Sequence, residues 1–197
     1  MNKASTTADD ILACARSLIA AGGYNGFSYA DIAQVVGIRK PSIHHHFPSK
    51  AELVTVLVAR YREAAEQGIA GLTGSVSGAL PQLRAYIDYW KACIGDASAP
   101  FCVCALLASE LPSLPETVAL EIRAYFRFLS GWLSDTLERG QQDGSIALSG
   151  PARVEAEAFM ALVHGAMLSA RAYGDPAMFG AIMEPQLTRL ARLAAAR

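Results

Sequence analysis

Charged residues are scarce in this sequence of 197 residues: Asp, Glu, Lys and Arg make up 18% of it, against 52% hydrophobic residues. Despite that apolar bias, the sequence lacks the run of about 20 apolar residues that a membrane-spanning helix requires. Its two most apolar stretches, 97–109 and 158–170, are interrupted or flanked by proline or charge. The N-terminus also lacks the apolar segment of a secretory signal. We therefore expect a cytoplasmic protein without a membrane partner, whose excess apolar surface faces a partner subunit or an internal cavity.

Cysteine is also sparse, and its spacing is not that of a disulfide framework. The four cysteines lie inside apolar, helix-like segments, and a reducing compartment would keep them as thiols. If Cys102 and Cys104 are both helical, they point in nearly opposite directions and cannot form a disulfide bond with each other. We therefore expect no disulfide bonds.

No segment alternates apolar and polar residues as a strand would. The sequence is instead a series of helical apolar patterns separated by glycine and proline. In "SYADIAQVVG", Ser28 and Asp31 have the spacing of a capping box, and Gly37 ends the helix after about two turns. This pattern predicts a short second helix after a longer first one.

A third helix should run from about residue 39 to residue 47. Pro41 is tolerated only in a first turn, and Pro48 disfavours helical geometry in the residue before it. Two short helices joined by a glycine-containing turn predict a helix-turn-helix. The predicted fold is all-α, with a three-helix helix-turn-helix domain at residues 1–50 and a larger helical domain at 51–197. Residues 51–66 would form the linking helix, and the glycines of "GIAGLTGSVSG" would end it. The alternative is that the first part of this segment is a frayed end of the same helix.

Three consecutive histidines, His44, His45 and His46, raise the question of a metal site. Neighbouring helix positions are rotated about 100° apart, so the three rings cannot converge on one ion. Residues 1–62 carry seven Lys/Arg and four Asp/Glu, a net charge of +3, whereas the rest of the chain carries −4. This asymmetry favours a polyanion, rather than a metal ion, as the partner of the N-terminal end.

The polar residues of the third helix are those that a DNA-reading helix uses. Arg39, Lys40, Ser42 and His44 can all form hydrogen bonds with bases or phosphates in a major groove. Ile43, and Phe47 one turn later, would anchor the helix to its neighbours. The alternative is a polar helix that is only solvated.

These segments resemble a known family. "ILACARSLIAAGGYNG" and "FSYADIAQVVGIRKPSIHHHFPSKAELV" look like the DNA-binding domain of the TetR (tetracycline-repressor-like) family, over about residues 8–60. The resemblance implies a homodimer that binds a palindromic double-stranded DNA operator, and a second domain for ligand binding and dimerisation. Arg39 and His44 depart from the family pattern, which has Ser or Thr and Tyr there. The DNA-contacting residues that the resemblance implies are Ser28, Arg39, Lys40, Ser42, His44, His45, His46 and Lys50.

The family arrangement also implies a four-helix interface between subunits, built from two helices of each. The segment "RVEAEAFMALVHGAMLSARAY" carries small residues that allow close helix approach, and the last helix offers a second apolar stripe. The alternative is that these residues face the core of the single chain. The candidate interface residues are Phe159, Leu162, Gly165, Ala166, Ser169, Leu187 and Leu190.

Aromatic residues of the second domain favour an apolar cavity for a small, largely apolar effector. For each of them the alternative is an ordinary core position, and for His164 a core position is the commoner explanation. The candidate ligand-binding residues are Tyr86, Trp90, Phe101, Cys102, Phe126 and His164.

Cys102 and Cys104 leave a second mechanism open. Their segment, "CVCALLASEL", is similar to one in relatives that look like cysteine-based sensors of oxidants or electrophiles, which modify thiolates. Cys102 is the stronger candidate because it lies nearest the loop before the predicted helix. The alternative to a ligand-responsive regulator is therefore a thiol-based one.

Our prediction is a repressor that an effector releases from its operator, with no metal and no cofactor. An enzyme is disfavoured because no nucleophile motif, phosphate loop or carboxylate pair accompanies the cysteine and histidine residues of the second domain. A partner protein that no longer binds DNA is disfavoured by Arg39, Lys40 and Lys50.

Overall fold

The computed structural model describes residues 7–97 and 101–195, with side chains as far as residue 191. The α-helices are α1 (Thr7–Gly22), α2 (Tyr29–Val36), α3 (Lys40–His46), α4 (Lys50–Ser75), α5 (Ala79–Gly95), α6 (Val103–Ala108), α7 (Glu116–Gln142), α8 (Ala152–Tyr173) and α9 (Ala177–Ala195). A 3-10 turn, Leu111–Ser113, follows α6. No strand occurs in these residues, which confirms the all-α prediction. None of their helices combines the length and apolarity that crossing a bilayer requires.

The described residues divide into two units. Residues 7–64 and 103–125 form the first unit, and residues 65–97, 101–102 and 126–195 form the second. The helices α4 and α7 therefore contribute residues to both units. The first unit holds the helix-turn-helix, and the second holds α5, α8 and α9.

Local sequence signals set the ends of α2, as predicted. The Ser28 hydroxyl accepts a hydrogen bond from the Ala30 N–H (3.2 Å), and Asp31 accepts one from the Ser28 N–H (2.7 Å), which completes a capping box. Hydrogen bonds that the Ser28 hydroxyl and the Ser28 N–H donate to Asp31 lower the pKa of this carboxylate, which stays ionised at the positive end of the helix dipole. Gly37 ends α2 in the left-handed conformation, with a φ of 74°.

The apolar side of α3 holds this helix in the first unit. Pro41 lies in its first turn and Phe47 follows its last residue, so the predicted boundaries are confirmed. Ile43 is fully buried and Phe47 is 6% exposed. Both α1 and α2 pack against α3. Burial of these two side chains therefore fixes which face of α3 points outward.

In the second unit, α9 packs against both α5 and α8. The core between them is apolar and tightly buried. Its fully buried side chains include Leu83, Ile87, Phe159, Val163, Met167, Phe179 and Met183.

Two helices differ from the predicted ones. The break predicted after residue 66 is wrong, because α4 continues through Gly68, Gly71 and Gly74 to Ser75. A side chain from α5 supports this end: the Gln82 amide donates to the carbonyl of Val76 (2.8 Å), just beyond the helix. The other difference is that α6 begins only at residue 103, so Cys102 precedes the helix instead of lying in it.

Candidate nucleic-acid interface and buried donor cluster

The predicted DNA-binding residues of α3 lie together on its outer side. Lys40, His44, His45 and His46 are exposed, as is Arg39 at the N-cap, and Ser42 is partly exposed. Arg39 makes no side-chain cap bond, since a guanidinium has no acceptor for the backbone N–H groups of the first turn. A helix without acidic residues thus presents several hydrogen-bond donors on one surface, as phosphate and base recognition requires.

Tyr29, which the sequence analysis missed, positions the C-terminal end of α3. Its hydroxyl donates to the Phe47 carbonyl (2.8 Å), and its ring contacts the His44 ring edge-on at a centroid distance of 4.8 Å. Burial is the main reason why the pKa of Tyr29 rises to about 12, with a further contribution from Glu52. The phenol therefore stays protonated and keeps donating at neutral pH. The only sequence signal was a tyrosine at the start of α2, 18 residues before Phe47.

The ring of His44 is oriented by its neighbours. Its Nδ1 lies 3.2 Å from the Pro48 carbonyl oxygen, so the tautomer with a proton on Nδ1 can donate this hydrogen bond. In that tautomer Nε2 is an acceptor. The rings of His45 and His46 form a T-shaped contact at a centroid distance of 5.6 Å. Within the described part of the chain, no three His, Cys, Asp or Glu side chains are grouped to hold a metal ion.

Lys50 makes intramolecular contacts that the sequence did not indicate. Its ammonium donates to the Phe27 carbonyl and lies over the rings of Phe27 (4.1 Å to the centroid) and Tyr24 (4.8 Å). Desolvation lowers its pKa, while Asp31 and Glu110 act in the opposite direction. Lys50 therefore stabilises the turn between α1 and α2, and its predicted phosphate contact stays a prediction. Ser28 likewise makes an intramolecular contact, since its hydroxyl donates to Asp31 (2.8 Å). Its predicted contact with the DNA backbone also stays a prediction.

A second brace of this turn comes from Glu110, just after α6. Both carboxylate oxygens accept from the Tyr24 N–H, at 3.2 and 3.1 Å. The carboxylate fits there because Gly23 has no side chain: a Cβ on Gly23 would lie 2.2 Å from the Glu110 Oε1. Gly23 also has a φ of 73°, which favours glycine. Residues far apart in sequence thus hold the start of α2, and through α2 they support α3.

In the second unit, polar residues of α5 and α7 form successive contacts along the two helices. At one end the Arg139 guanidinium donates to the Gln82 amide oxygen (2.9 Å) and the Thr136 hydroxyl (3.1 Å). One turn further along each helix, the rings of Tyr86 and Trp132 meet at a centroid distance of 5.2 Å. In the first contact the polar groups are hydrogen-bonded to each other. In the second contact the polar atoms of Tyr86 and Trp132 lack such partners.

We call Tyr86, Trp90 and Trp132 the donor cluster. They are 7%, 4% and 8% exposed. The Oη of Tyr86 and both indole Nε1 atoms are buried, and none of the three makes a hydrogen bond of good geometry with a described residue. Burial raises the pKa of Tyr86 and the nearby Cys102 raises it further, whereas the neighbouring Trp90 indole, as a weak hydrogen-bond partner of the phenol, acts in the opposite direction. The cluster includes two predicted ligand-binding residues, Tyr86 and Trp90, and adds Trp132.

The other predicted ligand-binding residues lie in different surroundings. Cys102 is fully buried beside Tyr86. Phe101 is partly exposed beneath the guanidinium of Arg171, which lies 5.7 Å from its ring. Phe126 and His164 contact each other at a centroid distance of 5.3 Å, and the Nε2 of His164 is a further buried nitrogen without a hydrogen bond among the described residues.

Phe126 also borders an open groove between α7 and α8, with a volume of about 550 Å³. Both signs of charge line this groove, through arginines 127 and 153, Asp135 and Glu157. The donor cluster is buried instead, and no buried side chain among the described residues is charged.

Four candidate interface residues lie in the core of the single chain. Phe159, Ala166, Leu187 and Leu190 are at most 1% exposed, so for them the structure favours the alternative that they face the chain's own core. Their burial leaves no surface for a second subunit. Gly165 is exposed, and Leu162 and Ser169 are partly exposed. Sequence reasoning identified the apolar helix α8 but not which of its sides stays accessible.

Comparisons with known proteins agree with this architecture. Residues 11–57 match the family of bacterial regulatory proteins, tetR family, and residues 79–184 match the tetracyclin repressor-like C-terminal domain. A TetR-family transcriptional regulator from Agrobacterium tumefaciens is 66% identical, with a TM-score of 0.92 over 93% of this chain and 97% of that one. A TetR regulator from Legionella pneumophila is 27% identical, with a TM-score of 0.85 over 96% and 100% of the two chains.

A more distant relative is the transcriptional repressor NemR of Escherichia coli, which is 24% identical over 84% of both chains. The crystal structure of its reduced form shares the fold, with a TM-score of 0.80 over 94% of this chain and 97% of that one. Two matched domains that together cover most of the chain, and a helix-turn-helix with an exposed cationic α3, lead to one conclusion: the chain belongs to the TetR family of DNA-binding transcriptional regulators.

Proposed function

We propose that this TetR-family regulator is a homodimeric repressor that leaves a palindromic operator when a small, largely apolar effector binds its second unit. The observation that carries the proposal is the exposure of Lys40 and of three histidines around the buried Ile43. Arg39, Lys40, Ser42, His44 and His45 would face bases or phosphates in the major groove, and Ser28, His46 and Lys50 would contact the DNA backbone. Effector binding would shift the population towards dimers whose α3 helices are wrongly spaced.

A continuous apolar stripe on α8 supports the homodimer. Positions 154, 158, 161, 165, 168 and 172 are all exposed, and all carry Val, Ala, Gly or Leu. Their spacing alternates between four and three residues, which is the period of helices that pack side by side. Val154 and Leu168 are 61% and 58% exposed, and small residues between them allow two helices to approach closely. The proposed interface is therefore this stripe, with Leu162 and Ser169 at its edge.

A thiol-based sensor is the second candidate function. The similarity to NemR, whose structure is described as a reduced form, favours it. Against it, Cys102 and Cys104 are both fully buried and neither forms a disulfide bond within the described residues, and reactive cysteines are usually partly exposed. An oxidant or electrophile would have to reach Cys102 through a transient opening of the second unit. We therefore rank reversible effector binding above thiol modification.

The test of the repressor is selection of bound sequences from a random pool of double-stranded DNA, using the full chain with and without an oxidant. A palindrome with two half-sites should be recovered. On that site, Lys40→Ala should weaken binding to all DNA and reduce the slope of log affinity against log salt by about one, whereas His44→Ala should change the preferred base. Recovery of no sequence by a folded protein would contradict the repressor, and loss of the site on oxidation would favour the thiol sensor.

A further inference from the structure

The donor cluster is an unusual feature of the second unit because its buried polar atoms are mostly donors. An indole Nε1–H can only donate, and a phenol offers one donor with an oxygen that also accepts. Trp90 lies one turn after Tyr86 on α5, and Trp132 contacts the Tyr86 ring from α7. Even if one indole N–H turns to the Tyr86 oxygen, at least two donors still need acceptors. Buried donors without partners are costly in a folded protein, so a group of them calls for an explanation.

The charge of the surroundings restricts what could satisfy these donors. Among the described residues the fully buried polar side chains are Gln82 and Thr136, and none is charged. Arg139 already donates to both of them, and it lies about two turns from Trp132 along α7. A carboxylate or phosphate placed among the cluster would lose its hydration without gaining a buried cation, which is strongly unfavourable. An uncharged acceptor has no such penalty.

We propose that Tyr86, Trp90 and Trp132 form a binding site for an uncharged, aromatic or otherwise apolar molecule that carries a carbonyl-type acceptor oxygen. The rings of the cluster contact the apolar body, and the phenol and indole donors bind the oxygen. The inference rests on the proposed function, since it names the chemical class of effector for the second unit. It also assigns Trp132 a role that the sequence analysis did not give it.

The two tryptophans of the chain are both in the cluster, which provides a direct test. In the uniformly ¹⁵N-labelled full chain, the indole N–H groups give two resolved NMR signals, and Trp132→Phe assigns them. The probes are acetophenone, cumene, which has a similar shape but no acceptor, and benzoate, which carries a charge. Acetophenone should shift at least one indole proton downfield in a saturable manner. Cumene should bind more weakly without that shift, and benzoate should bind least.

Tyr86→Phe removes one donor and keeps the ring. It should weaken acetophenone binding about five- to tenfold and leave cumene binding unchanged. Tyr89→Phe is the matched control, because Tyr89 is on the same helix but 58% exposed, and it should change neither. If Tyr86→Phe does not fold, Trp132→Phe provides the same comparison through the remaining indole signal.

The inference is overturned if cumene binds as tightly as acetophenone, if benzoate binds best, or if none of the three shifts an indole signal at millimolar concentration. These results are independent of the operator selection, which contains no ligand. A protein that selects a palindrome but ignores acetophenone remains a repressor with a different effector. If the protein binds acetophenone through the indoles but selects no DNA, the binding site is supported and the proposed repressor function is contradicted.

Discussion

Tyr29 shows how a single hydroxyl can affect the orientation of α3. Replacing it by phenylalanine removes the hydrogen bond to the Phe47 carbonyl, so the free energy of unfolding at pH 7 should fall by about 1 kcal/mol. The pKa is about 12 in the folded protein and near 10 in an unfolded chain. The contribution of this phenol is therefore complete below pH 10 and is lost as the pH rises from 10 to about 12.

Urea unfolding of wild type and Tyr29→Phe at a series of pH values measures this difference. The gap in free energy should be constant from neutral pH to about pH 9 and should shrink above pH 10. Tyr24, whose pKa is also raised by burial, is present in both proteins and cancels. Equal stability at pH 7, or a gap that widens with pH, would contradict the assigned hydrogen bond.

Gly23 and Gly37 permit a comparison that isolates the Glu110 contact. Both have a positive φ, 73° and 74°, so alanine introduces similar backbone strain at each, about 1 kcal/mol. Only at Gly23 would the new Cβ displace the Glu110 carboxylate from the Tyr24 N–H. We therefore expect Gly23→Ala to lower the free energy of unfolding by about 1 kcal/mol more than Gly37→Ala does.

Thermal or urea unfolding measures both variants, and Glu110→Ala completes the comparison. In that background the two glycine substitutions should cost the same, because no carboxylate remains to be displaced. A persistent difference would mean that Gly23 is required for another reason.

The residues that sequence reasoning identified and those it missed differ in a physical respect. The capping box of Ser28 and Asp31 and the apolar anchor Ile43 depend on neighbours within a few residues, so their spacing in the sequence is sufficient. Tyr29 and Glu110 act on groups 18 and 86 residues away. Such contacts depend on the tertiary fold, and no local pattern records them.

At the scale of elements, α4 tests how glycine behaves in a long helix. Gly68, Gly71 and Gly74 are exposed and helical, and a Cβ at each would meet no atom within 4 Å. Alanine should therefore stabilise the protein by about 0.5–1 kcal/mol at each position. At Gly78, which has a φ of 90° before α5, alanine should instead destabilise it.

Thermal unfolding followed by far-ultraviolet circular dichroism measures these four variants. If the first three alanines left stability unchanged or lowered it, α4 would end near residue 66, as the sequence alone suggested. The glycines of this segment wrongly predicted the end of α4, because each glycine disfavours a helix by only about 1 kcal/mol relative to alanine. A contact such as that of Gln82 with the end of α4 can exceed that preference.

In α8, too, a local pattern predicts the helix, but tertiary packing decides which of its faces is buried. Helical periodicity predicted its length, Ala152–Tyr173, but an apolar helix with small residues all round has more than one apolar side. Phe159 and Ala166 pack in the core of the single chain, whereas Gly165 and Leu168 remain exposed. The choice between these sides depends on where α9 lies, which only the folded chain defines.

At the scale of the whole molecule, the proposed repressor depends on the stripe on α8 as its dimer interface. A palindromic operator needs two α3 helices at a fixed spacing, and one short helix makes too few contacts for tight, specific binding. Leu168→Glu places a charge in the middle of the stripe. Burying that charge in an apolar interface would be costly, so the dimer should dissociate at micromolar concentration.

Light scattering coupled to size-exclusion chromatography measures the mass, which for wild type should be about twice 20.9 kDa. Leu120→Glu is the matched control, because Leu120 is 51% exposed on α7 and lies outside the stripe; it should leave the dimer and the operator affinity unchanged. Leu168→Glu should yield a folded monomer that has lost the selected palindrome but keeps weak, salt-sensitive binding to any DNA, because its α3 residues are intact. A Leu168→Glu dimer with full operator affinity would move the interface to another surface, and a wild-type monomer that binds the palindrome tightly would contradict the need for a dimer.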